Sequence, residues 1–145
     1  MKKEIIAISV SVILLVGLLV TFGIKSGNTD VKFEEVAGKN MPRELEAEIL
    51  PEYRELERAL ACRVNDEIYV IVTRGEKATS GYEVSIEKME LEKKDNKTKL
   101  IVYANFADPS QPENAAQIVS YPTAAAKADL KGLPDIIELR AEYVK

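Results

Sequence analysis

Twenty consecutive residues near the N-terminus, 5–24 (IIAISVSVILLVGLLVTFGI), carry no charge. At about 1.5 Å per residue such a run makes a helix roughly 30 Å long, the thickness of a bilayer's hydrocarbon core. Fourteen of the twenty are Ile, Leu, Val or Phe. On the insertion scale these sum to about −6 kcal/mol with no charged residue opposing them. A cleaved signal peptide would have a shorter apolar region, about 7–15 residues, ending in a small-x-small site. Here the run leads into Gly23-Ile24-Lys25-Ser26-Gly27, without an Ala-x-Ala pattern. The sequence therefore predicts a cytoplasmic tail over 1–4 and a transmembrane anchor over 5–24. Lys2 and Lys3 precede the run, and Lys25, Lys32 and Lys39 come after it. Counting them leaves the orientation open, but an N-terminal anchor behind basic residues acts as an export signal, and long domains translocate largely regardless of charge. The expected location is the cell membrane, single-pass, with the N-terminus inside and the domain extracytoplasmic.

The chain beyond the anchor is long enough for one domain with its own core. Without Lys2, Lys3 and Glu4, 18 basic residues face 23 acidic ones. That balance argues against a nucleic-acid partner, which needs a clustered basic face to replace counterions on phosphates. Histidine is absent and Cys62 is the single cysteine. No intramolecular disulfide can form, a zinc site of the usual kind cannot be built, and Ser-His-Asp and Cys-His catalysis are excluded. No Asp or Glu lies in a recognisable motif, and Asp108 before Pro109 reads as a turn residue. The expectation is a domain without catalytic residues, metal or cofactor.

Residues 25–41 mix Gly, Asn, Ser and charges and read as a juxtamembrane spacer before a domain over 42–145. Pro42 suits the first turn of a helix, and Pro51 a second turn. Beyond Pro51, Tyr53, Leu56 and Leu60 fall at helical spacing, which predicts an amphipathic helix covering a sheet, with Cys62 near its end as a small buried hydrophobe. Asn65-Asp66 reads as a turn, and Ile68 to Thr73 as a buried strand. A polar loop bracketed by Gly75 and Gly81 comes next. Tyr82, Val84 and Ile86 then alternate with polar residues, and Met89 and Leu91 break that parity, predicting a bulge near Glu87 and Lys88. The polar segment 93–98 makes this a hairpin. Its returning strand has Leu100, Val102, Ala104 and Phe106 on one face, with Ile101 and Tyr103 opposite, so the helix is expected to cover that second face. Asp108 to Asn114 is a Pro-bearing loop, Ala116 to Tyr121 a short strand stopped by Pro122, and Ala124 to Ala128 either strand or helical turn. Alternation of Ile137, Leu139, Ala141 and Tyr143 gives a last strand. The fold class is α+β: a small, mainly antiparallel β domain, sandwich or open barrel-like, covered by one helix.

Three stretches in this order carry a family likeness: the strand 69–73, the loop Gly75-Glu76-Lys77-Ala78-Thr79-Ser80-Gly81-Tyr82, and Gln117-Ile118-Val119-Ser120-Tyr121-Pro122. Over roughly residues 66 to 140 the chain resembles the PrcB C-terminal domain of protease complex subunits. That family's loop looks like Gly-Glu-Lys-Pro-Thr-Gly-Gly-Tyr, so Ala78 stands for a proline and Ser80 for a glycine. The resemblance implies a non-catalytic domain of exported bacterial proteins that assembles or stabilises a surface protease complex. A fainter likeness, carried by Thr79, Gly81 and Tyr82, is to the loop by which chagasin-type inhibitors enter cysteine peptidases. The other inhibitor motifs are missing, including one that needs a tryptophan.

Glycines that permit positive φ beside a tyrosine suit recognition, though each such residue equally suits a tight turn or a core contact. As a cluster, Glu76, Lys77, Thr79, Ser80, Gly81, Tyr82, Tyr121 and Pro122 are the candidate partner-binding residues. The expected partner is an exported or membrane protein such as a protease. A chagasin-like peptidase inhibitor or a small-ligand module is the alternative.

Overall fold

The computed structural model describes residues 28–144. The expected tail and anchor lie outside these residues, and among the described ones no helix is long and apolar enough to cross a membrane. Eight strands form two four-stranded sheets. They are β1 (Asn28–Asp30), β2 (Phe33–Val36), β3 (Glu57–Val64), β4 (Glu67–Arg74), β5 (Glu83–Lys94), β6 (Lys97–Ala107), β7 (Thr123–Ala128) and β8 (Ile136–Val144). One sheet runs β1-β5-β6-β8, the other β2-β7-β4-β3. All pairings are antiparallel except β6 with β8, which is parallel. The architecture is thus the expected mainly antiparallel β domain with one short helical segment.

Two hairpins set the register. Asn65 and Asp66 between β3 and β4, and Asp95 and Asn96 between β5 and β6, all have positive φ, between 52° and 63°. Two successive left-handed residues match the twist of the flanking strands, and Asn and Asp tolerate that region better than other side-chain-bearing residues. The parity break in β5 is a bulge: pairing passes from Ile86↔Ala104 to Lys88↔Tyr103, leaving Glu87 over. Val84 and Ile86 before it, and Met89 and Leu91 after it, all reach the same core.

That core lies between the sheets, with Val70, Val72, Ile86, Met89, Leu100, Val102, Phe106 and Ala126 at its centre. A second cluster lies on the opposite face of the β2-β7-β4-β3 sheet, where Tyr69, Ile71, Leu60 and Ala125 pack against Leu45. Strand β4 is therefore buried on both faces, as its unbroken apolar run predicts.

Four expectations need correction. The helix beyond Pro51 is far shorter: a π-helical turn (Leu45–Ile49) runs into α1 (Leu50–Tyr53), and β3 starts at Glu57. Leu56 and Leu60 match a helical spacing by coincidence. Backbone pairing of residues 57–64 with β4, closed by the Asn65-Asp66 turn, prevails over that pattern. The helical segment covers the β4 sheet, not the second face of β6. Residues 116–121 form no strand, only a bridge between Lys77 and Ser120. The described part of the expected spacer instead supplies β1 and β2, held by buried Val31 and half-buried Phe33.

Candidate functional site

Strand β4 ends at Arg74 and β7 begins at Thr123, side by side at one end of the sandwich. The two segments that leave them, 75–82 and 115–122, are laced together. Lys77 and Ser120 exchange both backbone hydrogen bonds at 2.9 Å. The Ser120 hydroxyl donates to the Thr79 carbonyl at 2.7 Å. Ser80 is held twice: its N–H donates to the Ala116 carbonyl, and its hydroxyl accepts from the Ala116 N–H, both at 3.0 Å. The Ser80 hydroxyl thereby adds a cross-link that a glycine could not make.

Gly81 sits at φ +96°, where an added Cβ would lie 3.0 Å from Cβ of Pro109. Gly75 sits at φ +88°, with a Cβ position 3.3 Å from the Glu55 carbonyl oxygen. Both glycines are required by backbone geometry and close approach. Two further bonds fix the base of the loops: the Arg74 N–H donates to the Pro122 carbonyl at 3.0 Å, and Pro122 itself is buried.

Beneath the loops lies a buried cation that sequence reasoning missed. Arg74 is 5% exposed. Its guanidinium donates to the Ala107 carbonyl at 2.8 Å and to the Asp108 carboxylate. The Tyr82, Phe106 and Tyr143 rings surround it at 4.9, 5.3 and 5.8 Å. Its Nε has no hydrogen-bond partner among the described residues. Tyr143 stands edge-on to Phe106 and donates its hydroxyl to Glu57. That bond to a carboxylate, with some burial, pushes the Tyr143 phenol above its ordinary value. The available signal was an arginine closing an otherwise apolar strand, with a single Asp before the proline of the facing loop.

The predicted residues thus come together, but not all face outward. Tyr82 is half-buried between Arg74 and Lys77, whose Nζ is 5.3 Å from the ring. Tyr121 lies under the Arg54 guanidinium at 4.0 Å. Glu76 is exposed, and Lys77, Thr79 and Ser80 partly so. The outermost apolar side chains belong to Ile118 and Val119, exposed by 64% and 51%. The sequence pattern places these two in a strand and not among the site residues. Among the described residues no group of His, Cys, Asp and Glu is placed to hold a metal ion.

The model of the PrcB C-terminal family matches this chain over residues 68–129. Over these residues the chain is similar to the PrcB C-terminal family. No curated protein and no solved structure matches the chain. The PrcB C-terminal match opens in β4 and closes at the end of β7, so it contains both laced segments, Arg74, Asp108 and the exposed Ile118 and Val119. It leaves out β3 and β8.

Proposed function

We propose that this is a membrane-anchored, extracytoplasmic recognition domain without chemistry of its own, and that its laced loop end binds an exported protein, a component of a surface protease complex. The observation that carries the reading is the exposed Ile118-Val119 pair held on a braced support. Two large apolar side chains are kept in solvent by a segment whose backbone is bonded at Ala116, Ser120 and Pro122. Preorganised apolar anchors beside polar neighbours such as Glu76 and Lys77 are what a protein interface needs at its centre and rim. The similarity of residues 68–129 to the PrcB C-terminal family supports a protease-complex setting.

The test is affinity capture from detergent-solubilised membranes, comparing the wild-type chain with the double substitution Ile118→Asp, Val119→Asp. Both positions are exposed, so the fold should survive, which circular dichroism would check. Wild type is expected to retain a partner with caseinolytic activity, and the variant to lose it. Equal activity in both eluates would refute a role for this surface. Protease shaving of intact cells tests the location: an extracytoplasmic domain is digested, and a protected one would overturn the export reading.

A further inference from the structure

The opposite end of the sandwich has its own chemistry. The β5–β6 turn carries Lys93, Lys94, Lys97 and Lys99 against one acidic residue, Asp95, in a chain of net charge −4. Lys93, Lys94 and Lys97 are exposed, and Lys99 lies 3.5 Å from Glu138. Two large apolar side chains stand beside this turn, Leu133 and Ile136, each 50% exposed. Leu133 shares a cleft with Lys93 and exposed Lys131, and Ile136 shares one with Lys94, Lys97 and Lys99. Of the acidic neighbours, Asp135 is occupied, accepting the Thr98 N–H at 2.8 Å. The others are Glu92, Asp129 and Asp30, which lies 3.7 Å from Lys88.

The chain also enters the domain here, since Asn28 of β1 pairs with Glu92, two residues before the end of β5. Only Lys25, Ser26 and Gly27 separate Asn28 from the apolar run. Four backbone steps reach roughly 14 Å at most. If residues 5–24 are the anchor, the bilayer lies within that reach of Asn28, at the same end of the sandwich as the lysine turn.

We propose that this end docks on an anionic phospholipid bilayer, lysines among the headgroups and Leu133 and Ile136 at the acyl boundary, so that the domain stands upright with the laced loops pointing away. Lysines beside exposed apolar residues are the composition that anionic interfaces retain. A second copy fits poorly, because two such turns would oppose lysine with lysine. The inference rests on the anchor reading, and its failure can be told apart from failure of that reading.

The test uses the full chain in proteoliposomes, carrying Cys62→Ala and one fluorescent label, at Leu133→Cys or at Ile118→Cys. The vesicles are phosphatidylcholine with or without phosphatidylglycerol, each containing a shallow spin-labelled lipid as quencher. With phosphatidylglycerol, the label at 133 is expected to be quenched several-fold more than the one at 118. The contrast is expected to shrink in phosphatidylcholine alone and in the Lys93→Glu, Lys94→Glu, Lys97→Glu variant, where each lysine lost lowers the ratio of docked to undocked domain about fivefold. Equal quenching at the two sites in chains that float with the vesicles would overturn docking and leave the anchor standing. A contrast indifferent to lipid charge would overturn it too. A label at 133 already shielded in detergent would assign the surface to a second copy. Chains that fail to float would overturn the anchor reading and this inference together. The lipid comparison needs no charge-reversed variant, so the proposal stays testable if that variant misfolds.

Discussion

Asp108 and Arg74 show how much one residue pair can carry at the base of the laced loops. Arg74 is nearly inaccessible, whereas the Asp108 side chain is 43% exposed. Removing the carboxylate leaves a buried guanidinium with the Ala107 carbonyl as its one hydrogen-bonded acceptor among the described residues, so Asp108→Ala should cost about 1.5–3 kcal/mol. Water reaching the half-open position keeps the loss below that of a fully buried pair. Asp108→Asn retains an acceptor and should lose less than Asp108→Ala; urea midpoints for the two variants check the order. The glycines give a second contrast. Gly81→Ala places a methyl against Pro109 at φ +96°, while Gly38→Ala at φ +54° meets nothing within 4 Å. The Gly38 substitution should cost about 1 kcal/mol and the Gly81 substitution about 2–3 kcal/mol, because only the second adds a collision to the backbone penalty. Equal losses would mean that Pro109 yields freely and that the loop is softer than its hydrogen bonds imply.

β1 is only three residues long, and side chains hold it to β5. Lys88 donates to Glu90 at 2.7 Å and lies 3.7 Å from Asp30. Asn28 and Tyr103 also donate to Glu90, at 3.3 and 3.2 Å. The hydrogen bond from Lys88 is the chief reason that the Glu90 carboxyl is held below its ordinary value, and the same bond pushes Lys88 up. A lowered carboxyl stabilises the fold fully above its unfolded pKa, about 4.3, and loses that contribution as pH falls through the folded value. Raised Lys88 acts oppositely: its contribution is full below its unfolded pKa and fades as pH rises through the folded one. Urea midpoints measured downward from pH 5 should therefore fall more steeply for wild type than for Glu90→Gln, and parallel curves would contradict the assignment. The β5 bulge and both hairpin turns were legible in the sequence because each leaves a local mark: a parity break, Asn-Asp, Asp-Asn. β1, β2 and the parallel pairing of β8 were not, because their partners are remote in sequence and β6 reaches β8 by way of β7, with no long crossover helix to mark it. The Gly75 to Tyr82 loop and Tyr121-Pro122 stood out in the sequence through the family likeness, and the fold brings the two segments together. Arg74 was hidden, since its role depends on Asp108 and Tyr143, which only the fold brings to it.

For the whole molecule, the consequence of this topology is polarity along one axis. From Glu83 to Glu92, β5 runs about 30 Å, with the laced loops at its start and the chain's entry beside its end. If the domain is tethered as proposed, this topology presents the laced loops away from the attachment, provided that it behaves as one rigid body. Rigidity depends on the outer helical layer as well as the sandwich core, because β4 is packed from both sides and passes directly into the Gly75 loop. Leu45 tests that dependence: it is fully buried, yet it stands on the π-helical turn outside the sheets, against Tyr69 and Ile71. Leu45→Ala should cost about 3–5 kcal/mol, a large share of the roughly 5–15 kcal/mol a domain has. The denaturant slope should stay unchanged, because loss of the outer layer and of the sandwich would be one event. A small loss with a reduced slope would instead mean that residues 43–53 peel off separately, and the loop end would then be supported from one side only.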